Sequence, residues 1–356
     1  MSSAREIIQH DVDFIISKIG KLLLQLKHQR IFITGGTGFF GQWILDTIWT
    51  ANKTLNLSLD VYVLTRNVSD FANQAGYLVD DPHFEFIEGD IKNFQFPEGE
   101  FKTIIHAATT RAEETYANED ALSKYDTVSI GTRRLLDFAV QAKTKQILWT
   151  SSGALYGQQP GDVSKISEDY SGSPDPMEVE ASALGLGKRS AEFLCAYYGK
   201  RYNIDIKIAR CFTFVGPRMQ MNIHYAVGNF ISDIVMNKPV LVKGDGTALR
   251  SYMYISDLII WLWIILLKGK SSYPYNVGSD EVVSILELAK MISKYGSSKT
   301  DVKTLQTKNE NTPANSYIPA IDRACTELNL SISTDLNAAL KKTIEYERAL
   351  ISECNN

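Results

Sequence analysis

Two stretches of this chain carry residue types whose spacing suggests chemistry. "TGGTGFFG" at 34–41 follows the β-branched run "RIFIT" directly and leads into a helical pattern. Gly35 permits a tight turn, Gly38 lets the backbone approach a pyrophosphate, and Gly41 allows a helix to lie close on the strand. The helix opening there presents unpaired N–H groups and a positive dipole end to phosphate oxygens. Such glycines alone are a weak signal; between a strand and a helix they form a dinucleotide fingerprint. The second stretch, "SALGLGKRSAEFL" at 182–194, reads as a helix. Yet Gly185 and Gly187 stand just before Lys188, and each costs about 1 kcal/mol against alanine. Something around that helix must require them.

The second strand-like run, "VYVLT", ends at Thr65 and is followed by Arg66. A free ribose 2′-hydroxyl usually meets an acidic residue about 20 positions after the glycines, whereas an arginine accepts a 2′-phosphate. NADP is therefore expected over NAD; the alternative is that Arg66 lies over the adenine face.

The elements that must position these residues alternate along the chain. "RIFIT" (30–34), "VYVLT" (61–65), "FEFIEGD" (84–90), "KTIIHAA" (102–108), "QILWTSS" (146–152) and "IKIARCF" (206–212) are short β-branched or aromatic runs. Helical stretches such as 126–142 lie between most of them. That rhythm predicts an α/β fold, a doubly wound parallel sheet covered on both faces. Before it, Ile8, Val12, Ile15, Ile19, Leu22 and Leu26 form one helical stripe, expected to pack on the main domain, with dimerisation the alternative. After about residue 216 the rhythm loosens. Residues 157–180, rich in Gly, Pro, Ser and Asp, predict a long loop beside the site, read as a functional lid.

Composition excludes several classes. The 356 residues are 44% hydrophobic and 22% charged, with a net charge of -4 and no basic run, which argues against a nucleic-acid partner. The most apolar run, "LIIWLWIILL", has ten residues where a bilayer span needs about 20, so a buried helix is expected and no membrane partner. No signal peptide is expected. Four cysteines without CxxC or metal spacing imply reduced thiols of a cytoplasmic protein and no metal site.

Further motifs fall in order: "GDI" (89–91), "HAA" (106–108), "SSGALYG" (151–157), "GKRSAE" (187–192), "RCFTFVGPR" (210–218), "GDGTALRSYMYISD" (244–257) and "YNVGS" (275–279). With "TGGTGFFG" they give a chain that resembles the extended short-chain dehydrogenase/reductase family, in its nucleotide-sugar epimerase/dehydratase branch, over roughly 30–290. The resemblance implies a Rossmann-type domain at 30–215, preceded by a helical extension at 1–29. A smaller, mainly substrate-binding lobe at 216–356 returns some segments to the Rossmann sheet. It implies that Asp90 and Ile91 hold the adenine side of the cofactor and that Ala107 and Ala108 line its path. Phe39, Phe40, Thr109, Thr150 and Phe212 complete the cofactor set beside the three glycines and Arg66. Lys188 would bond the nicotinamide ribose and lower the pKa of an acid–base group. Ser152 would bond the sugar's reacting hydroxyl. Arg250 would clamp the substrate diphosphate, with Asn229 and Phe230 beside it; Arg111 and Thr213 would also meet substrate. A homodimer is implied, with the helices near 126–142 and 182–202 pairing. Leu135, Leu136, Phe138 and Ala139 suit that pairing and equally suit the protein's own core.

The chain departs from the family at one decisive place. The catalytic tyrosine implied by the resemblance lies four residues before the lysine, on the same helix face, and this chain has Leu184 there. The glycines beside it match the family's habit of a helix passing close to cofactor and substrate. Tyr156, Tyr170, Asp175, Glu178 and Glu180 are the substitutes considered, with Tyr156 expected to be structural and His106 without duty. Gly153 and Ala154 stand where dTDP-glucose-type dehydratases carry Asp-Glu, which disfavours that mechanism and the decarboxylase one. The expectation is a nucleotide-diphosphosugar oxidoreductase or epimerase, passing a hydride at sugar C4 with a non-standard acid–base group. The alternatives are an atypical dehydratase and a non-catalytic binder of cofactor and nucleotide sugar.

Overall fold

The structure, a computed structural model, describes residues 3–109, 120–221, 223, 225–296, 301–307 and 314–354. Its main sheet comprises β1 (Arg30–Thr34), β2 (Asp60–Thr65), β3 (Phe84–Glu88), β4 (Thr103–His106), β5 (Gln146–Ser152), β6 (Asp205–Cys211) and β11 (Pro274–Val277). The order is β11-β6-β5-β4-β1-β2-β3, and every neighbouring pair is parallel. The expected strands are all present, and β11 reaches the sheet from the far side of residue 216.

Alternation along each strand feeds two cores. Ile31 and Ile33 join a cluster with α1 (Ser3–Leu23), α2 (Phe39–Leu55) and α7 (Ile255–Lys268). Phe32 points the other way, with Trp149, into a second cluster formed with α4 (Ala121–Gln141) and α5 (Val179–Tyr202). The remaining helices used below are α3 (Val68–Val79) on the edge and α6 (Ala226–Val235) in the second lobe. Leu135, Leu136, Phe138 and Ala139 are all fully buried in the second cluster, so they serve the protein's own core.

Ile8, Val12, Ile15, Ile19 and Leu26 of the expected stripe are buried in the first cluster, with Leu23 there in place of Leu22. Buried Asp11 of α1 accepts hydrogen bonds from Lys342 Nζ at 2.5 Å and from the Tyr254 hydroxyl, tying α1 to the C-terminal helix Leu336–Cys354 and to α7. The apolar run at 258–267 is buried within α7, and no helix among the described residues is long and apolar enough to cross a membrane.

The second lobe adds small ladders. β7 (Phe214–Val215) pairs with β10 (Met253–Tyr254), and β8 (Val240–Val242) with β13 (Val302–Thr304). β9 (Leu249–Arg250) lies between β12 (Val283–Ser284) and β14 (Ser316–Tyr317). Residues 157–178 do not form a lid. Ile166 exchanges backbone hydrogen bonds with Ile318 and Ala320, both 2.8 Å, and Arg189 donates to the carbonyls of Leu155 and Gly172. Buried Glu168 accepts from Asn276 N at 2.8 Å. Polar side chains in this stretch are thus spent on anchorage, and the segment is a strap fastened to both lobes.

Candidate active site

Sheet order reverses between β1 and β4, and the crevice outside the carboxyl ends at such a point is where α/β sheets bind ligands. Thr34, His106 and Ser152 end three of its strands. Between β1 and α2 the three glycines divide their duties. Gly35 has φ +71°, and a Cβ there would lie 2.5 Å from the Ala107 carbonyl atoms. A Cβ on Gly41 would lie 2.1 Å from Gly35 O, so α2 could not close on the turn with any other residue. A Cβ on Gly38 would meet Gly35 O at 3.3 Å, and Gly38 caps α2 without a side-chain bond. The first N–H groups of α2 have no intrahelical partner. The turn therefore fits a dinucleotide pyrophosphate. The rings of Phe39 and Phe40 pack on the first core, Phe40 edge-on to Phe214 at 5.1 Å, which leaves their backbones at the turn.

Around this turn the other expected cofactor residues are set by local bonds. Asp90 accepts from Lys92 N at 2.9 Å, and Ile91 is buried in the second core. The N–H groups of Ala107 and Ala108 bond Thr34 O and Oγ1. Thr109 is exposed at the strand end, Thr65 is buried and Arg66 is exposed at the rim. Arg111 lies outside the described residues. His106 is buried between Thr34 Oγ1 at 2.5 Å and Thr132 Oγ1 at 3.3 Å. Burial, with the Lys188 charge, pushes its pKa down to about 3, so it is a neutral core histidine.

Lys188 is buried and donates to Thr150 O at 2.7 Å, its Nζ 4.8 Å from the centre of the Trp149 ring. Burial lowers its pKa to about 8, partly offset by Cys211, Cys195 and Glu192. Leu184, one turn earlier, is half-buried against the second core. The glycines are explained by the protein itself. A Cβ on Gly185 would lie 2.4 Å from Ala154 O and 2.6 Å from Pro174 Cγ. One on Gly187 would lie 3.2 Å from Val128 Cβ of α4. They let α5 press against the turn after β5 and against α4, rather than making room for ligands.

On the substrate side, Ser152 Oγ accepts from Ala154 N at 3.1 Å, and the Tyr317 hydroxyl lies against the next residue, 2.5 Å from where a Cβ on Gly153 would stand. The Tyr317 ring stacks on Phe212 at 4.7 Å. Arg250 donates to the carbonyls of Leu249 and Asn315, both 2.8 Å, and no carboxylate pairs with it among the described residues. Thr213 is half-buried and its carbonyl accepts from Met253 N at 3.0 Å. Asn229 is half-buried at the start of α6, while the Phe230 ring is in the lobe's core, so only its backbone can meet a ligand.

Tyr317 is the phenol whose hydroxyl lies against Gly153, and the substitutes expected for the missing phenol are engaged elsewhere or exposed. Tyr156 donates to Asn276 Oδ1 at 2.8 Å and accepts from Arg210, and burial raises its pKa to about 12, a structural role. Asp175, Glu178 and Glu180 are exposed. Tyr170 lies with its ring centre 6.2 Å from that of Tyr156. Tyr317 escaped the sequence reading because it lies 129 positions beyond Lys188, in no recognised motif.

A family model described as the NAD dependent epimerase/dehydratase family matches residues 31–278, well over half of the chain. The chain belongs to that family. Among curated members, UDP-glucuronic acid decarboxylase 6 of Arabidopsis thaliana is 30% identical over 81% of this chain and 79% of its own. UDP-glucuronic acid decarboxylase 1 of Danio rerio is 29% identical over 94% and 77%. Among solved structures, UDP-glucuronic acid 4-epimerase from Bacillus cereus with NAD has a TM-score of 0.74 at 24% identity, covering 90% of this chain and 99% of that one.

These findings correct the expectation of NADP. The family description names NAD, as do the similar structures that name a dinucleotide, among them the Bacillus cereus epimerase and dTDP-glucose 4,6-dehydratases from Bacillus anthracis and Streptomyces venezuelae. An arginine after β2 is also compatible with NAD, its planar guanidinium lying over the adenine, so the side-chain type at 66 did not discriminate.

Proposed function

We propose that this family member uses NAD to oxidise and re-reduce C4 of a nucleotide-diphosphate sugar, as an epimerase or oxidoreductase. The observation that carries the proposal is Lys188, buried and held at the end of β5 by the carbonyl of Thr150, which lies two residues before Ser152. Residues 30–215 would hold the dinucleotide and 216–356 chiefly the sugar nucleotide. Gly35, Gly38 and Gly41 with the start of α2 would seat the pyrophosphate, Asp90 the adenine side, and Lys188 the nicotinamide ribose. NAD, when bound, supplies a hydride acceptor and donor. Ser152 would bond the reacting hydroxyl, and the Arg250 guanidinium, unneutralised by any described carboxylate, would take the diphosphate. The names of the relatives favour a uridine nucleotide. Decarboxylation is not proposed, because Gly153 and Ala154 carry no acid.

The half-buried Leu184 favours a second reading, a binder without turnover. Calorimetry with NAD, then with UDP-glucose, UDP-glucuronic acid and dTDP-glucose, followed by product analysis, separates them. Binding of NAD and a UDP-sugar with product formed is expected. Binding without product would leave the binder, and no binding would end both readings.

A homodimer through α4 and α5 is proposed as well. Ile130, Phe193 and Tyr197 are exposed on these helices, Phe193 by 69%, beside Arg133 and Arg189. Apolar exposure on two adjacent helices supports this reading. Phe193→Glu is expected to convert a dimer to a monomer in sedimentation; a wild-type monomer would refute the proposal.

A further inference from the structure

We propose that the Tyr317 phenol exchanges the proton of the sugar hydroxyl bonded by Ser152, replacing the phenol missing at position 184. The inference rests on the C4 reaction proposed above and names the group that reaction lacks.

Three features converge on this hydroxyl. Ser152, the residue proposed to bond the reacting hydroxyl, is a neighbour whose hydroxyl favours the Tyr317 phenolate. The glycine at 153 makes room for it: a Cβ there would lie 2.5 Å from Tyr317 Oη and 2.8 Å from Phe212 Cζ. The loss of an acidic side chain at 153 and the arrival of a phenol from the other lobe are thus one arrangement. Finally, the phenol is held from both sides. β14 sets Tyr317 in register with Arg250 of β9, and the strap grips the next residue. There Ile318 N donates to Gln159 Oε1 at 2.9 Å and Ile318 O accepts from Ile166 N at 2.8 Å. Gln159 is itself fixed by donating to the carbonyls of Val163 and Ser164. A proton-transfer group needs such a fixed geometry before its pKa matters.

The surrounding charges suit both directions. Burial raises the phenol's pKa, which keeps it protonated as a donor, while Ser152 and the Arg250 cation favour the phenolate. Tyr225 and Cys211 also face it and disfavour the phenolate, and burial raises the Cys211 thiol to about 12, so it stays neutral. In the oxidative direction the substrate O–H bond breaks and its proton forms the Tyr317 O–H. Oxidised NAD, when bound, would be the oxidant and take up the hydride from the same carbon. In the reductive direction the Tyr317 proton returns to the carbonyl oxygen as the hydride returns to carbon.

The test is Tyr317→Phe in the full chain with NAD and UDP-glucose or UDP-glucuronic acid, because phenylalanine keeps the stack on Phe212. A fall in kcat of about 100-fold or more is expected, with dissociation constants for NAD and the UDP-sugar within about threefold of wild type. Adding Leu184→Tyr, which restores a phenol one turn before Lys188, should recover part of the rate; a merely structural role for Tyr317 would not be rescued. Independently of turnover, alkaline ultraviolet difference titration of wild type against Tyr317→Phe should show a phenol that ionises at lower pH once NAD is bound. Wild-type turnover retained within about threefold by Tyr317→Phe, or a phenol whose titration NAD does not move, overturns the inference while the proposed function stands. Wild type that binds both ligands without turnover also overturns it. Wild type that binds neither ends the proposed function itself.

Discussion

Lys188→Met is expected to lower turnover by about 100-fold or more and to weaken NAD binding by about tenfold, in a protein at least as heat-stable as wild type at neutral pH. The loss of function follows from removing the one buried ammonium at the end of β5, which donates to Thr150 O and stands ready for a ribose hydroxyl. The retained stability follows from the sign of its pKa shift. Burial lowers the pKa from 10.5 to about 8, a penalty of about 3 kcal/mol on the charged form. The hydrogen bond lost at Thr150 comes from a charged donor and is worth about 1.5–3 kcal/mol, so the charge effect at least balances it. Below pH about 8 folded and unfolded chains both hold the proton and the penalty stands in full. Between about 8 and 10.5 the unfolded chain binds more protons, so wild-type stability rises relative to Lys188→Met and the gap closes. Melting curves of both proteins across that range check the claim; a variant less stable at neutral pH would show that the ammonium is not buried at a cost.

Gly185→Ala is expected to be the most damaging single methyl in the molecule's functional helix. Its Cβ would lie 2.4 Å from the Ala154 carbonyl oxygen and 2.6 Å from Pro174 Cγ, and neither the backbone oxygen nor the fastened strap can retreat cheaply. Overpacking of this kind costs about 1–3 kcal/mol, against about 1 kcal/mol gained in helix propensity. The larger effect is positional. The helix carrying Lys188 would be pushed away from the turn carrying Ser152 and Gly153, and a misplacement of about 1 Å costs about 100-fold in rate. Gly187→Ala is the control, since its Cβ would meet Val128 Cβ at 3.2 Å and Tyr125 O at 3.4 Å, too close by only a few tenths of an ångström. It should be near neutral in melting temperature and turnover. Equal behaviour of the two variants would refute this account of the glycines.

The main sheet was legible because its strands are short apolar runs at regular spacing, and the glycine turn because its backbone demands are stereochemical. Other features were opaque for physical reasons. Leu135 and Phe138 have the same apolar character whether they face a core or a partner, and only packing decides. The strap at 157–178 is polar in composition, but buried Glu168 and Gln159 spend that polarity on backbone partners far away in sequence. Arg66 suggested a 2′-phosphate because a guanidinium suits both that group and an adenine face. Tyr317 lay hidden because its approach to Gly153, 164 positions earlier in the chain, is a contact that no local spacing encodes.

The most direct measurement is a crystal structure of the full chain with NAD and a UDP-sugar. The pyrophosphate should sit at the start of the helix opening at Phe39, the nicotinamide ribose on Lys188, and the sugar diphosphate on Arg250. The C4 hydroxyl should lie within hydrogen-bonding reach of both Ser152 Oγ and Tyr317 Oη. A dinucleotide bound elsewhere, or a sugar whose C4 faces Leu184 with Tyr317 turned away, would contradict the account.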